Sequence, residues 1–326
     1  MSWRNIDDPL YPWVRTMNRI LTVESPPSIT GPTMLMASDY SGTDKKSGYH
    51  VTTILCTDME ASWRWEMLRR EVRRNYLSDG RRMSYKALND QNRAKALIPF
   101  LSAAEYLHGL CLVIVINKSI RHLCINNAAN YQKMRDVAKL RARWKDRELE
   151  TMLRLTHFVA VIQAGLSQPG QNIYWISDED SVFANMDRSS DVAGMLSSYT
   201  SHYIKHSLGE LGVGTTSLDE GDRVEEDLSA VADLVAGAIA EVMTRMAEQC
   251  GGRIPRDLAV ERHNSFLPKA DLIARWLWLG RSDLRRVTVL FEKHPDGFTC
   301  SRYQMLEDNT NPRTLEETPQ GIVIAH

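Results

Sequence analysis

The sequence predicts an α/β protein in which one mixed sheet is flanked by helices. Apolar runs that end in turn or polar residues are typical of buried strands, and three of them cover residues 33–42, 109–118 and 172–177. Helical stretches lie between these runs, and parallel strands need crossovers of that length. The run at 109–118 is apolar on both faces, which predicts a central position in the sheet.

The first strand is expected to form a hairpin with the next one. It ends at Asp39, and the sequence Asp39-Tyr-Ser-Gly42 favours a turn because Asp and Gly tolerate turn geometry. Residues 41–48 form that turn, and the run at 49–56, rich in β-branched residues, is the predicted returning strand.

Helices are predicted where apolar residues recur at helical spacing. They cover residues 12–21, 57–76, 147–165, 186–200, 227–248 and about 268–279, and another begins near Asn89. Thr57 or Asp58 is expected to cap the second helix. In the tail, residues 287–305 indicate a β-hairpin with His-Pro-Asp-Gly as its turn.

These elements predict three units along the chain. Residues 1–30, rich in Trp and Pro, are an N-terminal arm that packs on the domain or on a second subunit of a homo-oligomer. Residues 31–250 are the α/β domain. Residues 251–326 are a C-terminal extension that contains a helix and the hairpin. Because the hairpin follows the last motif, we expect it outside the main domain, where it covers a sheet edge or forms a subunit contact.

Composition is that of an ordinary globular protein. The 326 residues are 43% hydrophobic and 25% charged, which excludes a disordered or fibrous class. No apolar run approaches the ~20 residues of a membrane span, and the polar first eight residues are unlike a secretory signal. Five cysteines without CxxC spacing predict free thiols in a reducing compartment. We therefore expect a cytoplasmic protein.

The net charge of −1 provides no global positive field for nucleic acid, so any such surface must be local. One local candidate is a set of arginines in the predicted helix 57–76: Arg64, Arg69, Arg70, Arg73 and Arg74. This set is either a solvated face or a track for backbone phosphates.

Three acidic features are candidates to meet at one edge of the sheet. Asp39 ends the first strand, Asp178-Glu179-Asp180 follows a later strand, and Asp233 lies in a late helix. Sites on open α/β sheets gather at strand ends, and hard cations take oxygen ligands. Asp39, Asp178 and Asp233 are therefore candidate ligands for Mg²⁺ or Mn²⁺, and Glu179 and Asp180 are candidates for a fourth position.

Each of these residues also has an ordinary structural interpretation. Asp39 is a typical turn residue, the acidic triplet could cap a helix, and Asp233 could face solvent. The neighbours of Asp233 are apolar, however, and the small residues Ser229 and Gly237 one turn away would let its helix approach the sheet. That environment favours the site interpretation for Asp233.

Four other polar residues have both a functional and a structural interpretation. Lys86 and Lys118 are candidates to bind phosphate oxygens, although a lysine at a strand end is often simply solvated. His202 and His206 have the i, i+4 spacing that zinc ligands can have. No Glu follows the first His in the required place and no third ligand is evident, so we expect them to be surface or structural residues.

Four motifs, in this order, resemble one protein family: Asp39-Tyr-Ser-Gly42, Val113-Ile-Val-Ile-Asn-Lys118, Asp178-Glu179 and Ala232-Asp-Leu-Val-Ala-Gly237. The chain resembles the domain-of-unknown-function family 3800 over about residues 33–248. That resemblance implies a ribonuclease H-like fold. The family has a Glu directly after its first Asp, where this chain has Tyr40, so either Asp44 or Glu179 compensates or the site is weakened.

Two classes of function follow from these residues. The first is a metal-dependent nuclease or related phosphodiester hydrolase, since two Mg²⁺ or Mn²⁺ ions ~4 Å apart can activate water and neutralise the transition state. The second is a non-catalytic protein on the same fold that binds DNA or RNA or is regulatory, which Tyr40 and the net charge favour. A small-molecule phosphohydrolase is a third alternative. The family suggests a role in mobile-element or phage defence.

Overall fold

A computed structural model describes residues 3–125, 130–178, 181–219, 221–252, 254, 257–260, 268–279, 283–307 and 322–325. The strands are β1 (Thr33–Ser41), β2 (Tyr49–Asp58), β3 (Gly109–Asn117), β4 (Asn172–Ser177), β5 (Leu211–Thr215), β6 (Asp257–Val260), β7 (Leu284–His294), β8 (Gly297–Glu307) and β9 (Ile322–Ala325). The α-helices are α1 (Pro12–Glu24), α2 (Trp63–Tyr76), α3 (Gln91–Ala104), α4 (Asn130–Ala138), α5 (Asp146–Leu166), α6 (Met186–Tyr203), α7 (Val224–Gln249) and α8 (Lys269–Leu279).

The strands form one mixed sheet in the order β5-β4-β1-β2-β3-β7-β8-β6-β9. Within the first five, only β2 runs antiparallel to its neighbours, while β4 pairs parallel with both β1 and β5. This order, with helices on both faces, is the arrangement of a ribonuclease H-like fold. The predicted mixed sheet flanked by helices is therefore confirmed.

Two hydrophobic cores lie on opposite faces of the sheet, because successive residues of a strand point to opposite sides. Met34 and Met36 of β1 belong to the first core, together with residues of α1, α5 and α6. Leu35 and Ala37 belong to the second core, together with residues of α2, α3, α7 and α8. We call these two sides the α5 face and the α7 face.

Both ends of the chain contribute to this sheet and its cores. Helix α1 buries Trp13, Val14 and Met17 in the first core. Strand β7 pairs in parallel with β3 over eight residues, and β8 returns antiparallel to β7. The C-terminal hairpin thus covers the edge of the five-stranded unit and extends the same sheet.

The start of α2 differs from the prediction. Strand β2 continues through Asp58, and the helix begins at Trp63, so neither Thr57 nor Asp58 caps it. The buried carboxylate of Asp58 instead accepts the backbone N–H groups of Thr30 and Gly31, at 3.0 and 2.8 Å. Asp58 therefore fixes the entry into β1, a long-range role that local sequence does not reveal.

All five cysteines are free of disulfide bonds, as predicted, and three of them are buried. Within the ranges given above, no helix has both the length and the apolar character that crossing a membrane requires.

Candidate active site

Asp39 and Asp178 lie at the same end of two adjacent parallel strands. Strands β1 and β4 are paired from Thr33↔Asn172 to Ser38↔Ser177, so Asp39 and Asp178 directly follow the last paired residues. The prediction that these two strands are neighbours and parallel is confirmed. Parallel strands present their carboxyl ends at one edge, which is where sites of open α/β sheets form.

The side chains of both residues belong to the α7 face. Asp39 shares one face of β1 with Leu35 and Ala37, which pack in the second core, and it is half-buried. Asp178 is in contact with Arg82, whose neighbours Met83 and Tyr85 are buried in that core. Helix α7 packs across β1 and β2 on this face, so the half-buried Asp233 belongs to the same side of the sheet.

A short connecting segment, residues 82–85, links two of the three aspartates. Arg82 donates from Nη1 to Oδ1 of Asp178 at 2.9 Å. The backbone N–H of Tyr85 donates to Oδ2 of Asp233 at 2.8 Å. Asp178 and Asp233 are therefore both engaged by this segment.

Gly237 explains how the 82–85 segment approaches α7. A Cβ atom at this position would lie 2.4 Å from Cδ1 of Tyr85, so only glycine leaves room for the ring. The Tyr85 hydroxyl donates to Glu241 one turn further along α7, and Lys269 donates to the Tyr85 carbonyl at 3.1 Å. Sequence reasoning assigned Gly237 to helix–sheet packing, whereas its neighbour is Tyr85.

Two buried hydroxyl groups flank the carboxylates on the α7 face. Thr53 of β2 is the cross-strand partner of Asp39, and Ser229 lies one turn before Asp233 on α7. Neither Oγ atom has a hydrogen-bond partner within the described part of the chain. Buried hydroxyls of this kind normally find partners, so this region has hydrogen-bonding capacity that its present contacts do not use.

The donor set is suited to hard cations, although the described carboxylates are not grouped around a single position. Carboxylate oxygens are the ligands that Mg²⁺ and Mn²⁺ prefer. Among the described residues, however, no three His, Cys, Asp or Glu side chains are grouped closely enough to hold a metal. The guanidinium of Arg82 lies against Asp178, where a cation would have to compete with it.

The remaining predicted site residues have separate positions. Glu179 and Asp180 lie outside the described residues. Lys86 is exposed on the turn that follows Ser84, next to Tyr85. Lys118 lies at the end of β3, where its ammonium group donates to the backbone carbonyl of Asp44.

Asp44, considered as a substitute for the missing family Glu, has a structural role in the β1–β2 turn. Its Oδ1 accepts the backbone N–H groups of Lys46 and Ser47 at 2.8 and 3.0 Å. These bonds lower the pKa of the Asp44 carboxyl because they favour its charged form.

The arginines of α2 do not form a continuous exposed track. Arg69 is buried and donates to Asp227 of α7 at 3.1 Å, and Arg73 contacts the same carboxylate at 2.7 Å. Arg70 pairs with Glu66 at 2.7 Å, and Arg64 stacks on the ring of Tyr106. Much of this basic set therefore holds α2 against the N-terminal turn of α7.

His202 and His206 are structural or surface residues, as predicted. His202 contacts Asp8 at 3.1 Å, and His206 lies 2.7 Å from Nη1 of Arg4. Arg82 is the site residue that sequence reasoning missed. The only local signal was the Arg81-Arg82 pair in a segment without clear periodicity, and nothing local identifies Asp178, 96 residues later, as its partner.

The site and fold together define an α/β protein with acidic residues at the carboxyl edge of a ribonuclease H-like sheet. No protein-family model and no curated protein matches the chain. Among solved structures, it is similar to the ribonuclease H2 from Pyrococcus horikoshii OT3, with 14% sequence identity and a TM-score of 0.36 over 75% of this chain and 85% of that chain. The assignment of the fold therefore depends on the strand order and strand directions of this chain.

Proposed function

We propose that this chain is a metal-dependent nuclease or related phosphodiester hydrolase that acts on DNA or RNA, and that it belongs with the domain-of-unknown-function family 3800. The observation that carries the proposal is the placement of three aspartates. Asp39 and Asp178 directly follow the last residues at which the adjacent parallel strands β1 and β4 pair, and Asp233 belongs to the helix on the same face. Three carboxylates from separate elements are what a Mg²⁺ or Mn²⁺ site for phosphodiester hydrolysis uses.

In this proposal, the cation must compete with Arg82 for Asp178. The Arg82–Asp178 pair is partly exposed, with 29% and 37% of the two side chains accessible, so it is open to exchange. The unpaired hydroxyls of Thr53 and Ser229 could support a rearranged set of carboxylates. Lys86, exposed beside Tyr85, remains a candidate to bind a substrate phosphate, and Lys118 is a second candidate at the same edge.

The test is a thermal melt with and without Mn²⁺. A ligand that binds only the folded state raises the melting temperature, so we expect Mn²⁺ to stabilise the wild type and to have no effect on Asp39→Asn. Asp296→Asn is a matched control, because Asp296 is an exposed Asp in the turn between β7 and β8. It should keep the full Mn²⁺ response.

Cleavage of single-stranded and duplex DNA and RNA should then require Mn²⁺ or Mg²⁺ and be lost in Asp39→Asn. If Mn²⁺ leaves the wild type unchanged, or shifts Asp39→Asn equally, the metal site is not where we place it. If the metal-free Asp39→Asn protein is less stable than the wild type and neither responds to Mn²⁺, Asp39 is a structural turn residue.

A second candidate is a non-catalytic protein that binds nucleic acid on the same fold. The specific observation in its favour is Arg82, which already neutralises Asp178. Tyr40, which replaces a family carboxylate, points in the same direction. This candidate predicts that nucleic acid binds without cleavage, without a metal requirement and equally well to wild type and Asp39→Asn.

A further inference from the structure

A cavity of about 230 Å³ opens on the α5 face at the same end of β1. Its floor is formed by β1, β2 and β3, and its wall is formed by α5. Tyr40 and Thr52 are cross-strand partners in this floor, and His50 pairs with Ile116 beside them. Strand alternation places this cavity, which we call the α5 cavity, on the opposite side of the sheet from Asp39.

Two arginines of α5 line the cavity. Arg154 is nearly buried, and its guanidinium is held by Glu150 at 2.8 Å and by the Ile120 carbonyl at 2.9 Å. Arg147 is exposed at the rim and donates to the Thr43 carbonyl at 3.1 Å. Arg154 thus has a fixed position, whereas Arg147 is free to adjust to an occupant.

The cavity also has many hydroxyl groups that can donate hydrogen bonds to an anion. They belong to Tyr40, Ser41, Thr43, Thr52 and Ser181, whereas the Thr151 hydroxyl, which also lines the cavity, donates to the Arg147 carbonyl at 2.9 Å. Hydroxyl and guanidinium groups are the side chains that usually contact phosphate oxygens in proteins.

The acidic groups around the cavity are already neutralised. Glu148 accepts from Arg188 of α6 at 2.6 Å, and Glu150 is paired with Arg154. Lys118, at the end of β3, is offset by the nearby carboxylate of Asp44, so one positive charge, on Arg147, remains in excess near the cavity.

The protonation of His50 supports this balance of charge. Burial, together with the nearby charges of Lys118, Arg154 and Arg147, lowers the pKa of His50 to about 3. The imidazole is neutral at physiological pH and can still donate one hydrogen bond. Burial makes the largest contribution to this shift, and the three cations act in the same direction, so a bound anion would oppose their part of it.

We propose that the α5 cavity is a binding site for a phosphate group. Its volume is below the 300–1,000 Å³ of typical sites for larger ligands, so it suits a small anion or the phosphate end of a longer molecule. The shared chemistry is a tetrahedral phosphate bound by Arg147, Arg154 and the cavity hydroxyls. The phosphate is either free, part of a mononucleotide, or the terminal phosphate of a nucleic-acid strand.

This site does not depend on the metal-dependent activity proposed above. Asp39 lies on the other face of β1, so Asp39→Asn should leave phosphate binding unchanged. Loss of the Mn²⁺ response and loss of phosphate binding are therefore separate results that test separate proposals.

The experiment titrates the wild type with inorganic phosphate, with AMP, and with a dinucleotide that carries either a 5′-phosphate or a 5′-hydroxyl. Binding is followed by calorimetry and by the imidazole NMR signals of His50, which the His50→Gln spectrum identifies. We expect saturable binding and a rise in the pKa of His50 with at least one phosphate ligand. The ligand that binds most tightly identifies the source of the phosphate. The 5′-hydroxyl dinucleotide should produce no rise in the pKa of His50.

Two variants test the residues. Arg147→Gln should weaken binding about tenfold, because a charge-assisted hydrogen bond is lost, and Thr151→Glu should abolish it by placing a carboxylate in the cavity. Arg285→Gln is the matched control, since Arg285 is an exposed arginine near the start of β7, at the opposite end of the sheet. The proposal is overturned if no phosphate ligand changes the His50 signals, or if Arg147→Gln and Arg285→Gln bind equally well.

Discussion

Two consecutive residues of β1, Asp39 and Tyr40, face two different electrostatic environments. Asp39 belongs to the α7 face, with Asp178 at the next strand end and Asp233 on the covering helix. Tyr40 belongs to the α5 face, where the cavity is lined by Arg147 and Arg154. Because strand residues alternate between faces, one strand end can serve an acidic site and a cationic site at once.

This difference gives a physical meaning to Tyr40, at the position where the sequence resemblance leads us to expect a carboxylate. A carboxylate at position 40 would point toward the α5 cavity and would neutralise the positive charge there. Tyr40 supplies a hydroxyl group at the same place, 3.4 Å from the hydroxyl of Ser181. With Tyr40 in place of a carboxylate, the α5 face therefore carries one negative charge less. This holds independently of any effect on the carboxylate site.

The largest expected effect on stability comes from removing the buried ion pair that each face of the sheet contains. Glu150 on the α5 face pairs with Arg154, and Asp227 on the α7 face pairs with Arg69 and Arg73. Glu150→Ala leaves the buried guanidinium of Arg154 without its carboxylate partner, so it should cost about 3–5 kcal/mol of stability in urea unfolding. Asp227→Ala should cost less, because Arg69 keeps Glu66 and Arg73 keeps Glu226. A loss below about 1 kcal/mol in either variant would contradict the structural role assigned here.

Acid should destabilise the interior of the α5 face. His157 is fully buried among aromatic rings, and burial lowers its pKa from 6.5 to about 3, against an opposing effect of Asp8. The unfolded chain then binds a proton that the folded chain does not, so stability is retained above pH 6.5 and lost as the pH falls below it. The loss is about 1.4 kcal/mol per pH unit, or about 2 kcal/mol at pH 5.

Urea unfolding of wild type and His157→Phe at pH 7 and pH 5 measures this contribution. The variant should lose less stability between the two pH values, since it removes the titrating group, while His50 keeps a loss of the same sign in both proteins. His294→Gln, at an exposed histidine, should follow the wild type. Equal pH dependence in all three proteins would show that His157 is not held neutral by burial.

The strands were predictable because their signals are local, although β1 continues to Ser41 beyond its predicted end at Asp39. The run at 172–177 has the same bounds as β4. The helical crossover between this run and β1 predicts parallel strands, and therefore that Asp39 and Asp178 share an edge of the sheet. The pairing of β7 with β3 could not be predicted in this way, because it joins segments about 175 residues apart. The C-terminal hairpin accordingly covers the sheet edge at β3, which is one of the two positions expected from the sequence.

The polar partners of the site were the least predictable part. The sequence of α2 is compatible with a solvated arginine face, yet Arg69 and Arg73 form ion pairs with Asp227, more than 150 residues later in the chain. The α5 cavity combines His50, Arg147 and Arg154 from two elements, and none of them belongs to a motif. Such groupings are determined by packing across the sheet and have no periodic signature.

The smallest expected change in stability, and the sharpest test of the acidic face, comes from Arg82→Gln. The Arg82–Asp178 pair is partly exposed, so its removal should cost at most about 1 kcal/mol without metal. If Arg82 competes with a cation for Asp178, its removal increases the fraction of protein that can bind metal. Mn²⁺ should therefore raise the melting temperature of Arg82→Gln by more than it raises that of the wild type.

Arg81→Gln is the matched control, because the adjacent Arg81 pairs with Asp79 and Asp90 and not with the site. It should show the wild-type Mn²⁺ response. If Arg82 instead serves a non-catalytic protein as a contact to nucleic acid, Arg82→Gln should weaken nucleic-acid binding, and Mn²⁺ should stabilise neither variant. An equal Mn²⁺ response in Arg82→Gln, Arg81→Gln and wild type would show that Arg82 does not control the acidic face, and that the cation binds without displacing it.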